Sequence, residues 1–408
     1  MRKNSSSYPV EVVEDVFGEE SPVLAKLLEG ASRVLLVADM NVVQRTPGLG
    51  TKIGRYVKAH GIALAGNPVV LAGGERLKDN FQTATNLASS VVAAKLGAND
   101  AVLALGGGTL FDVVGWVAAQ ARGGTRVVRI PTTPIAMLDA AFSTRSFINV
   151  SSVKNAMGVA CVPSAVLVDT SFANTVLEGV WRSGMGEAAR LAVASDAALL
   201  KKLEKQAADY SVRKEGTLDA LVKVVHATRA KKGGTELGLW SAHRLQSMSG
   251  YKLPHGHAVV IALVIEAFVG VERGVLTEDE ATRILDVLKA CGTLDGMYHS
   301  QHLINQTDNL MRGLDAWFLH SPDGIPALAG IGKSETLAEI DRELYRRAVK
   351  RAATLSLSLG AKPVPEAKPE DSANAVKFEE KASAESEGSG ASDAPKEPSS
   401  GIEPESAE

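Results

Sequence analysis

Short apolar segments alternate with segments of helical periodicity through the first part of the chain. Four short segments, at residues 34–38, 68–71, 101–105 and 165–168, consist almost entirely of apolar side chains, and another, at residues 126–130, has three apolar residues beside Arg126 and Arg129. Helical periods separate several of them, at residues 51–59, 82–96 and 110–121. Strands that are apolar on both faces and joined by helices predict a parallel sheet with helices on both sides. The sequence therefore predicts a Rossmann-like α/β fold.

Helical periodicity replaces this alternation in the later part of the chain. Apolar residues recur at helical spacing in residues 185–197, 218–231, 258–273 and 278–290, which predicts an all-α second domain. From residue 362 onward the chain is rich in Pro, Glu, Ser and Ala and nearly lacks large apolar side chains. Such a segment is predicted to be disordered. We therefore expect an α/β domain at residues 1–178, a helical domain at residues 179–360 and a disordered tail at residues 361–408.

Charge and cysteine content argue against several classes of function. The chain has 44 basic and 47 acidic residues, a formal net charge of −3 and only 5% aromatic residues, which disfavours nucleic acid or an acidic membrane as partner. Cys161 and Cys291 are the two cysteines, and we expect them to be reduced and buried. Residues 1–20 lack the apolar core of a signal peptide, and the apolar run at residues 258–271 is too short for a membrane span. These features predict a cytoplasmic protein without nucleic-acid or membrane partners.

A turn of three glycines follows the third predicted strand. Gly106, Gly107 and Gly108 come directly before a predicted helix, with Asp112 in its first turn. Glycines let backbone N–H groups approach a phosphate closely, and a helix N-terminus adds partial positive charge. The turn is not the G-x-G-x-x-G fingerprint, however, and such a turn also occurs as a plain strand-to-helix connection.

Polar residues follow the other predicted strands at matching places. Asp39 and Asn41 follow the first strand, Glu75 and Lys78 the second, and Thr132 with Thr133 the fourth. Ligands of open α/β sheets bind at the carboxyl ends of the strands. The set together predicts a ligand crevice there, with ordinary solvated loops as the alternative.

These motifs occur in the order found in dehydroquinate synthases, which the chain resembles from residue 34 to about residue 332. The resemblance extends to further motifs, namely Arg122-Gly123, Leu138-Asp139, Lys154-Asn155, Trp181-Arg-Ser-Gly-Met-Gly-Glu187 and His255-Gly-His257. Trp181-Arg-Ser-Gly-Met185 and Trp240-Ser-Ala-His-Arg-Leu245 are similar to the divergent Ebo-type relatives of that family. The family consists of sugar-phosphate cyclases, which are carbon–oxygen lyases. They use NAD to oxidise an alcohol transiently so that phosphate can leave.

The resemblance implies roles for individual residues. Positions that would contact NAD are Asp39, Asn41, Glu75, Lys78, Gly106, Gly107, Gly108, Asp112, Thr132, Thr133 and Thr175. Positions that would act on a phosphorylated sugar are Asp139, Arg145, Lys154, Asn155, Arg190 and His243. Arg122 would reach the substrate phosphate from a neighbouring subunit, which implies a homodimer.

The metal position departs from the family pattern. The family binds zinc or cobalt through one glutamate and two histidines in its helical domain; Glu187 and His255 match two of them, but Leu239 stands at the third position. His243 or His257 could replace the missing ligand. His255 and His257 would lie about 200° apart on a helix, so ligation by both requires an irregular backbone. The alternative is that the metal site is lost.

Three functions therefore compete. The first is an NAD-dependent sugar-phosphate cyclase, which the cationic set Arg122, Lys154 and the segment around Glu187 favour. The second is a non-catalytic or reassigned NAD-binding protein, favoured by Leu239 and the shortened stretch at residues 233–240. The third is a metal-dependent polyol or alcohol dehydrogenase, which shares the architecture but needs no phosphate-binding residues.

Overall fold

A six-stranded parallel sheet forms the centre of the N-terminal part of the chain. The computed structural model describes residues 8–121, 124–151 and 153–359. The strands of the sheet are β1 (Val10–Val12), β2 (Val34–Asp39), β3 (Val69–Leu71), β4 (Ala101–Gly106), β5 (Arg126–Pro131) and β8 (Ala165–Val168), in the order β1-β8-β5-β4-β2-β3. All residues of β2, β4 and β8 are buried. The predicted parallel sheet is confirmed with its five predicted strands, and β1 is a sixth that was not predicted, because its three residues form no apolar run.

The direction of strand addition reverses between β2 and β4. The chain passes from β2 outward to β3, returns to β4 on the other side of β2, and continues to β5 and β8. Such a reversal opens a crevice at the carboxyl ends of the two central strands, where ligands bind in folds of this type. Asp39 and Gly106 are the last residues of β2 and β4, so both lie at this crevice.

Helices and a small hairpin complete the N-terminal part. The helices are α1 (Val23–Leu27), α2 (Met40–Arg45), α3 (Leu49–Ala59), α4 (Arg76–Asp79), α5 (Phe81–Ala93), α6 (Gly108–Gln120) and α7 (Pro134–Leu138). Short 3-10 turns span Ala140–Phe142 and Thr170–Thr175. An antiparallel hairpin, β6 (Arg145–Val150) and β7 (Val153–Ala160), was not predicted, because most of β7 is exposed and lacks an apolar face.

The C-terminal part is helical, as predicted, apart from one hairpin. Its helices are α8 (Glu178–Ser195), α9 (Ala197–Ser211), α10 (Thr217–Lys232), α11 (Leu239–Met248), α12 (His255–Glu272), α13 (Glu278–Ala290), α14 (Asp295–His299), α15 (Gln301–Ile304), α16 (Thr307–His320) and α17 (Arg342–Leu359). Strands β9 (Ile325–Gly330) and β10 (Lys333–Leu337) pair as an antiparallel hairpin. The sheet and these helices share one apolar core, so the boundary after residue 178 stays a prediction. The predicted tail and Arg122 lie outside the described residues.

Helix α12 extends beyond the apolar run at residues 258–271 that the sequence showed. Its 18 residues have the length and composition of a membrane span, and it is the one such helix in the described part of the chain. However, 78% of that helix is buried inside the molecule, against α8, α11 and α17. Its apolar character is therefore explained by its place in the core of the helical part.

Candidate functional site

A cleft of about 1480 Å³ runs along the carboxyl edge of the sheet and continues between the helices. That volume exceeds the ~300–1,000 Å³ typical of a pocket for one small molecule. Most of the residues predicted as site residues line it: Asp39, Asn41, Glu75, Lys78, Gly107, Gly108, Asp112, Thr132, Thr133, Asp139, Arg145, Lys154, Asn155, Thr175, Arg190, Leu239, His243 and His255. Gly106 and Glu187 are buried directly behind this wall. The fold thus brings together residues that are far apart in sequence.

The three glycines form a tight turn at the start of α6. A Cβ on Gly106 would lie 3.1 Å from Cβ of Asp39, and a Cβ on Gly108 would lie 2.7 Å from Cβ of Ala140. Both positions therefore require glycine for packing. Gly107 differs, because a Cβ there would meet only the Thr133 side chain, at 3.6 Å. Gly107 caps α6 without a side-chain hydrogen bond, so the N-terminus of the helix is open toward the cleft.

Asp39 is held rigidly at the end of β2. Its Oδ1 atom accepts hydrogen bonds from the backbone N of Asn41, at 2.8 Å, and from Asn41 Nδ2, at 3.1 Å. The neighbouring loop approaches so closely that a Cβ on Gly73 would lie 2.4 Å from Asp39 Oδ2. The arrangement presents a fixed carboxylate to the cleft, which suits the hydroxyl groups of a sugar or ribose.

Two lysines join the sheet edge to the β6–β7 hairpin. Lys78 Nζ donates to Asp112 Oδ2 at 2.5 Å and to Asn155 Oδ1 at 2.6 Å. Lys154 Nζ donates to Glu75 Oε1 at 2.8 Å. Burial alone would raise the pKa of Glu75, but the charges of Lys154 and Lys78 lower it to about 2. Burial lowers the pKa of Lys154, which Glu75 partly offsets.

A buried pair at the helical end of the cleft joins α8 to the loop before α11. Arg190 donates to Glu187 Oε2 through Nε at 2.9 Å and through Nη2 at 2.5 Å, and its Nη1 donates to the backbone oxygen of Thr235. Burial would raise the pKa of Glu187, but the Arg190 charge and His255 hold it below its ordinary value. The Glu187 carboxylate is thus committed to a guanidinium on one side.

Two residues of the site were missed in the sequence. Arg229, on α10, donates through Nη1 to Asp139 Oδ1, and its guanidinium lies 5.7 Å from the ring centroid of Phe142. Gln246, on α11, accepts hydrogen bonds from Lys154 and His255. The position of Gln246 three residues after His243 could have signalled a shared helix face, whereas no motif marked Arg229.

The histidines occupy different surroundings. His255 Nε2 lies 3.2 Å from Glu187 Oε1. His243 lines the cleft with its ring centroid 6.2 Å from that of His255, and burial together with the Lys154 charge lowers its pKa well below the ordinary value. His257 instead points toward the backbone positions of Gly179 and Gly296. The structure therefore does not bring His257 to Glu187, which removes its basis as a replacement ligand.

The side chains around Glu187 supply fewer donors than a zinc or cobalt centre requires. Glu187 Oε1 is buried, lacks a well-aligned hydrogen-bond donor and faces His255 Nε2, so two donors are in place. The side chain of Leu239 lines the cleft at the third position and supplies none. Among the described residues, no group of three or more His, Cys, Asp or Glu side chains is placed to hold a metal ion. The arrangement does not fit a centre with three protein ligands, the usual number for catalytic zinc.

Comparisons with known proteins identify related sequences. The family models for the 3-dehydroquinate synthase N-terminal and C-terminal regions match residues 68–183 and 184–312. A 3-dehydroquinate synthase of Bradyrhizobium sp. (strain BTAi1 / ATCC BAA-1182) is 30% identical over 64% of this chain and 74% of its own length. The demethyl-4-deoxygadusol synthase of Trichormus variabilis (strain ATCC 29413 / PCC 7937) is 27% identical over 76% of this chain and 78% of its own.

Solved structures share the fold. The 2-epi-5-epi-valiolone synthase ValA of Streptomyces hygroscopicus subsp. jinggangensis 5008, with NAD+ and Zn2+ bound, superposes with a TM-score of 0.75 at 23% identity, over 87% of this chain and 99% of that one. A 2-deoxy-scyllo-inosose synthase complexed with carbaglucose-6-phosphate, NAD+ and Co2+ gives 0.69 at 18%, over 84% and 96%. A probable glycerol dehydrogenase of Sinorhizobium meliloti 1021 gives 0.63 at 14%, over 86% and 98%. The family models and the relatives together establish that this chain belongs to the 3-dehydroquinate synthase family.

Proposed function

We propose that the chain binds NAD and a phosphorylated sugar side by side in the cleft and eliminates phosphate from that sugar as sugar-phosphate cyclases do. The main support for this function is the continuity of the cleft. A single cleft joins the open helix N-terminus at Gly107 to three cationic side chains, those of Lys154, Arg190 and Arg229. A dinucleotide fits the first part and a phosphorylated sugar the second.

The sheet end of the cleft suits a dinucleotide. The backbone N–H groups at the start of α6 can face a phosphate without a side chain in the way, because the N-cap residue and the first residue of the helix are Gly107 and Gly108. The fixed carboxylate of Asp39 is an acceptor for ribose hydroxyls. When bound, NAD accepts a hydride from a secondary alcohol and returns it later in the reaction.

The helical end of the cleft supplies charge and a proton acceptor. Lys154 and Arg229 present N–H groups that can hold a phosphate. Arg190 also lines this end of the cleft, where two hydrogen bonds to Glu187 hold its guanidinium in place. His243 is neutral near pH 7, because its pKa lies well below the ordinary value, so it can accept a proton from substrate.

A second candidate is a protein that binds NAD and sugar phosphate without turning them over. The apolar Leu239 at the third ligand position favours it. A polyol dehydrogenase is less well supported, because its substrates carry no phosphate for the cations of the cleft to bind.

The test is incubation of the full chain with NAD and a panel of phosphorylated sugars that includes the dehydroquinate-synthase substrate. A cyclase releases inorganic phosphate without net NADH, because the hydride is returned. A dehydrogenase would accumulate NADH without phosphate. Binding with neither product would support the non-catalytic candidate and overturn the cyclase.

The resemblance also supports a homodimer and a cytoplasmic location. In the homodimer, Arg122 of one subunit would reach the substrate phosphate in the site of the other. Light scattering of the purified chain tests the homodimer. A monomer at micromolar concentration would contradict it.

A further inference from the structure

One buried oxygen atom joins the two ends of the cleft. Gln246 Oε1 accepts a hydrogen bond from Lys154 Nζ at 2.7 Å and another from His255 Nδ1 at 2.9 Å. Lys154 belongs to β7, beside the sheet, whereas His255 is the first residue of α12. The Gln246 side chain is fully buried on α11. A single amide thus ties three elements together.

The chemistry of the partners fixes how these groups are oriented. A lysine amine facing an amide needs its oxygen as acceptor, so the oxygen and not the nitrogen of Gln246 faces Lys154. The same oxygen then requires His255 Nδ1 to carry a hydrogen. Its other ring nitrogen, Nε2, is thereby directed at Glu187 Oε1. Gln246 therefore sets both the tautomer and the direction of the His255 ring.

The contacts continue on the far side of Lys154. Its Nζ also donates to Glu75 Oε1 at 2.8 Å. The same Glu75 oxygen lies 3.9 Å from Lys78 Nζ, which forms an ion pair with Asp112 on α6. The side chains of Lys78, Lys154 and Glu75 are 3%, 6% and 10% exposed. A continuous network with a buried centre therefore runs from Asp112, at the dinucleotide end, to Glu187, and Gln246 is the member that connects the hairpin to the helices.

We propose that Gln246 is a positioning residue, which orients Lys154 and His255 and couples occupancy of the dinucleotide end to occupancy of the helical end. The inference rests on the proposed function, because it takes NAD and a sugar phosphate as the two ligands. A ligand that orders Glu75 and Lys154 reduces the cost of ordering His255 through the shared oxygen. Coupling of this kind is reciprocal between the two ligands.

Calorimetric titration of the full chain tests this coupling. NAD and carbaglucose-6-phosphate are each titrated alone and in the presence of the other ligand. In the native protein we expect saturating NAD to tighten carbaglucose-6-phosphate binding by about five-fold or more, in the usual range for coupled sites. Gln246→Met has similar length but no acceptor, and should reduce that ratio below about two-fold; a change in the affinity for either ligand alone does not enter the ratio. Gln246→Glu keeps an oxygen for both donors and should retain the coupling.

Two further variants keep the test decisive. Gln206→Met on α9, whose side chain does not line the cleft, is the matched control and should behave as native. If Gln246→Met fails to fold, Gln246→Asn withdraws the oxygen by one methylene while keeping the amide, and should also lose the coupling.

Three outcomes would overturn the inference. They are native protein that binds both ligands without coupling, a folded Gln246→Met or Gln246→Asn variant with native coupling, and a folded Gln246→Glu variant that has lost it. Native protein that binds no NAD at all would refute the proposed function as well, so the two failures are distinguishable.

Discussion

His255 Nε2 lies 3.2 Å from Glu187 Oε1, at the point where α12 begins beside α8. Glycines on both helices permit this approach. A Cβ on Gly186 would lie 2.9 Å from the Val260 side chain, and a Cβ on Gly256 would lie 2.4 Å from Cβ of Ser183. The pair is thus set by close helix packing between α8 and α12, which fixes the backbone positions of both residues.

A side chain at this close contact between α8 and α12 should destabilise the fold. Gly256→Ala places a methyl group where Ser183 already lies, and overpacking of this kind costs about 1–3 kcal/mol. We expect a lower urea midpoint for unfolding. Gly54→Ala on α3, where a Cβ meets nothing within 4 Å, is the control and should be neutral or slightly stabilising. Equal midpoints for the two variants would contradict the packing argument.

Metal content is expected to be low. Glu187 and His255 provide two donors while Leu239 provides none, so protein purified without chelators should hold well under one zinc or cobalt per chain by elemental analysis. Leu239→His should raise metal affinity, because residue 239 lines the cleft one helical turn before His243.

The contrary result has a specific form. One tightly bound metal per chain that is lost in His243→Ala would show a site rebuilt around His243. His257→Ala is the matched control, because that ring faces Gly179 and Gly296 instead of the cleft.

A buried carboxyl group beneath α11 predicts a pH dependence of stability. Glu266 Oε1 accepts from Trp240 Nε1 at 2.7 Å, and burial raises the pKa of Glu266 from 4.5 to about 7. The folded state therefore favours the neutral acid. This contribution is fully present below about pH 4.5 and is lost as pH rises through about 7, with a size on the order of 3 kcal/mol.

The matching variant isolates that contribution. Glu266→Gln keeps an oxygen for Trp240 but cannot ionise, so its free energy of unfolding should change less than that of the native protein between pH 5 and pH 8. Tyr345 and Arg273, the other ionisable groups that influence Glu266, are unchanged in this comparison. Parallel pH profiles for the two proteins would refute the assignment.

Arg229 should contribute to sugar-phosphate binding. Arg229→Met removes a cation from the cleft and leaves the Asp139 carboxylate without this partner. Loss of one charged hydrogen bond, about 1.5–3 kcal/mol, predicts roughly 10- to 100-fold weaker binding of carbaglucose-6-phosphate, with NAD binding retained. Lys231→Met, on the exposed end of the same helix, is the control. An unchanged affinity in calorimetry would exclude Arg229 from the site.

The centre of the sheet was predictable because the runs that form β2, β4 and β8 are apolar on both faces, whereas β1 has a glutamate at its centre and was missed. The β6–β7 hairpin was not predictable, because most of β7 is exposed and its sequence shows no apolar face. Lys154 and Asn155 were found by resemblance, but their hydrogen bonds to Glu75 and Lys78 join residues 79 and 77 positions apart and could not be derived from local spacing.

Contacts that depend on helix crossing angles could not be derived from spacing. Arg229 and Asp139 are 90 residues apart and meet only because α10 packs against the segment after α7. Gln246 likewise obtains its role from β7 and α12, which no local pattern on α11 reveals. By contrast, the separation of His255 from His257 followed directly from helical geometry.

NAD binding by the native chain tests most directly whether the cleft is a dinucleotide site. Calorimetry should show saturable binding of about one NAD per chain, and Gly107→Val should abolish it, because the added side chain enters the open N-terminus of α6 while the fold tolerates a Cβ at that position. Gly54→Val, outside the cleft, should bind as the native protein does. Absence of NAD binding by the folded native protein, or native affinity in Gly107→Val, would contradict the assignment of this cleft as a dinucleotide site.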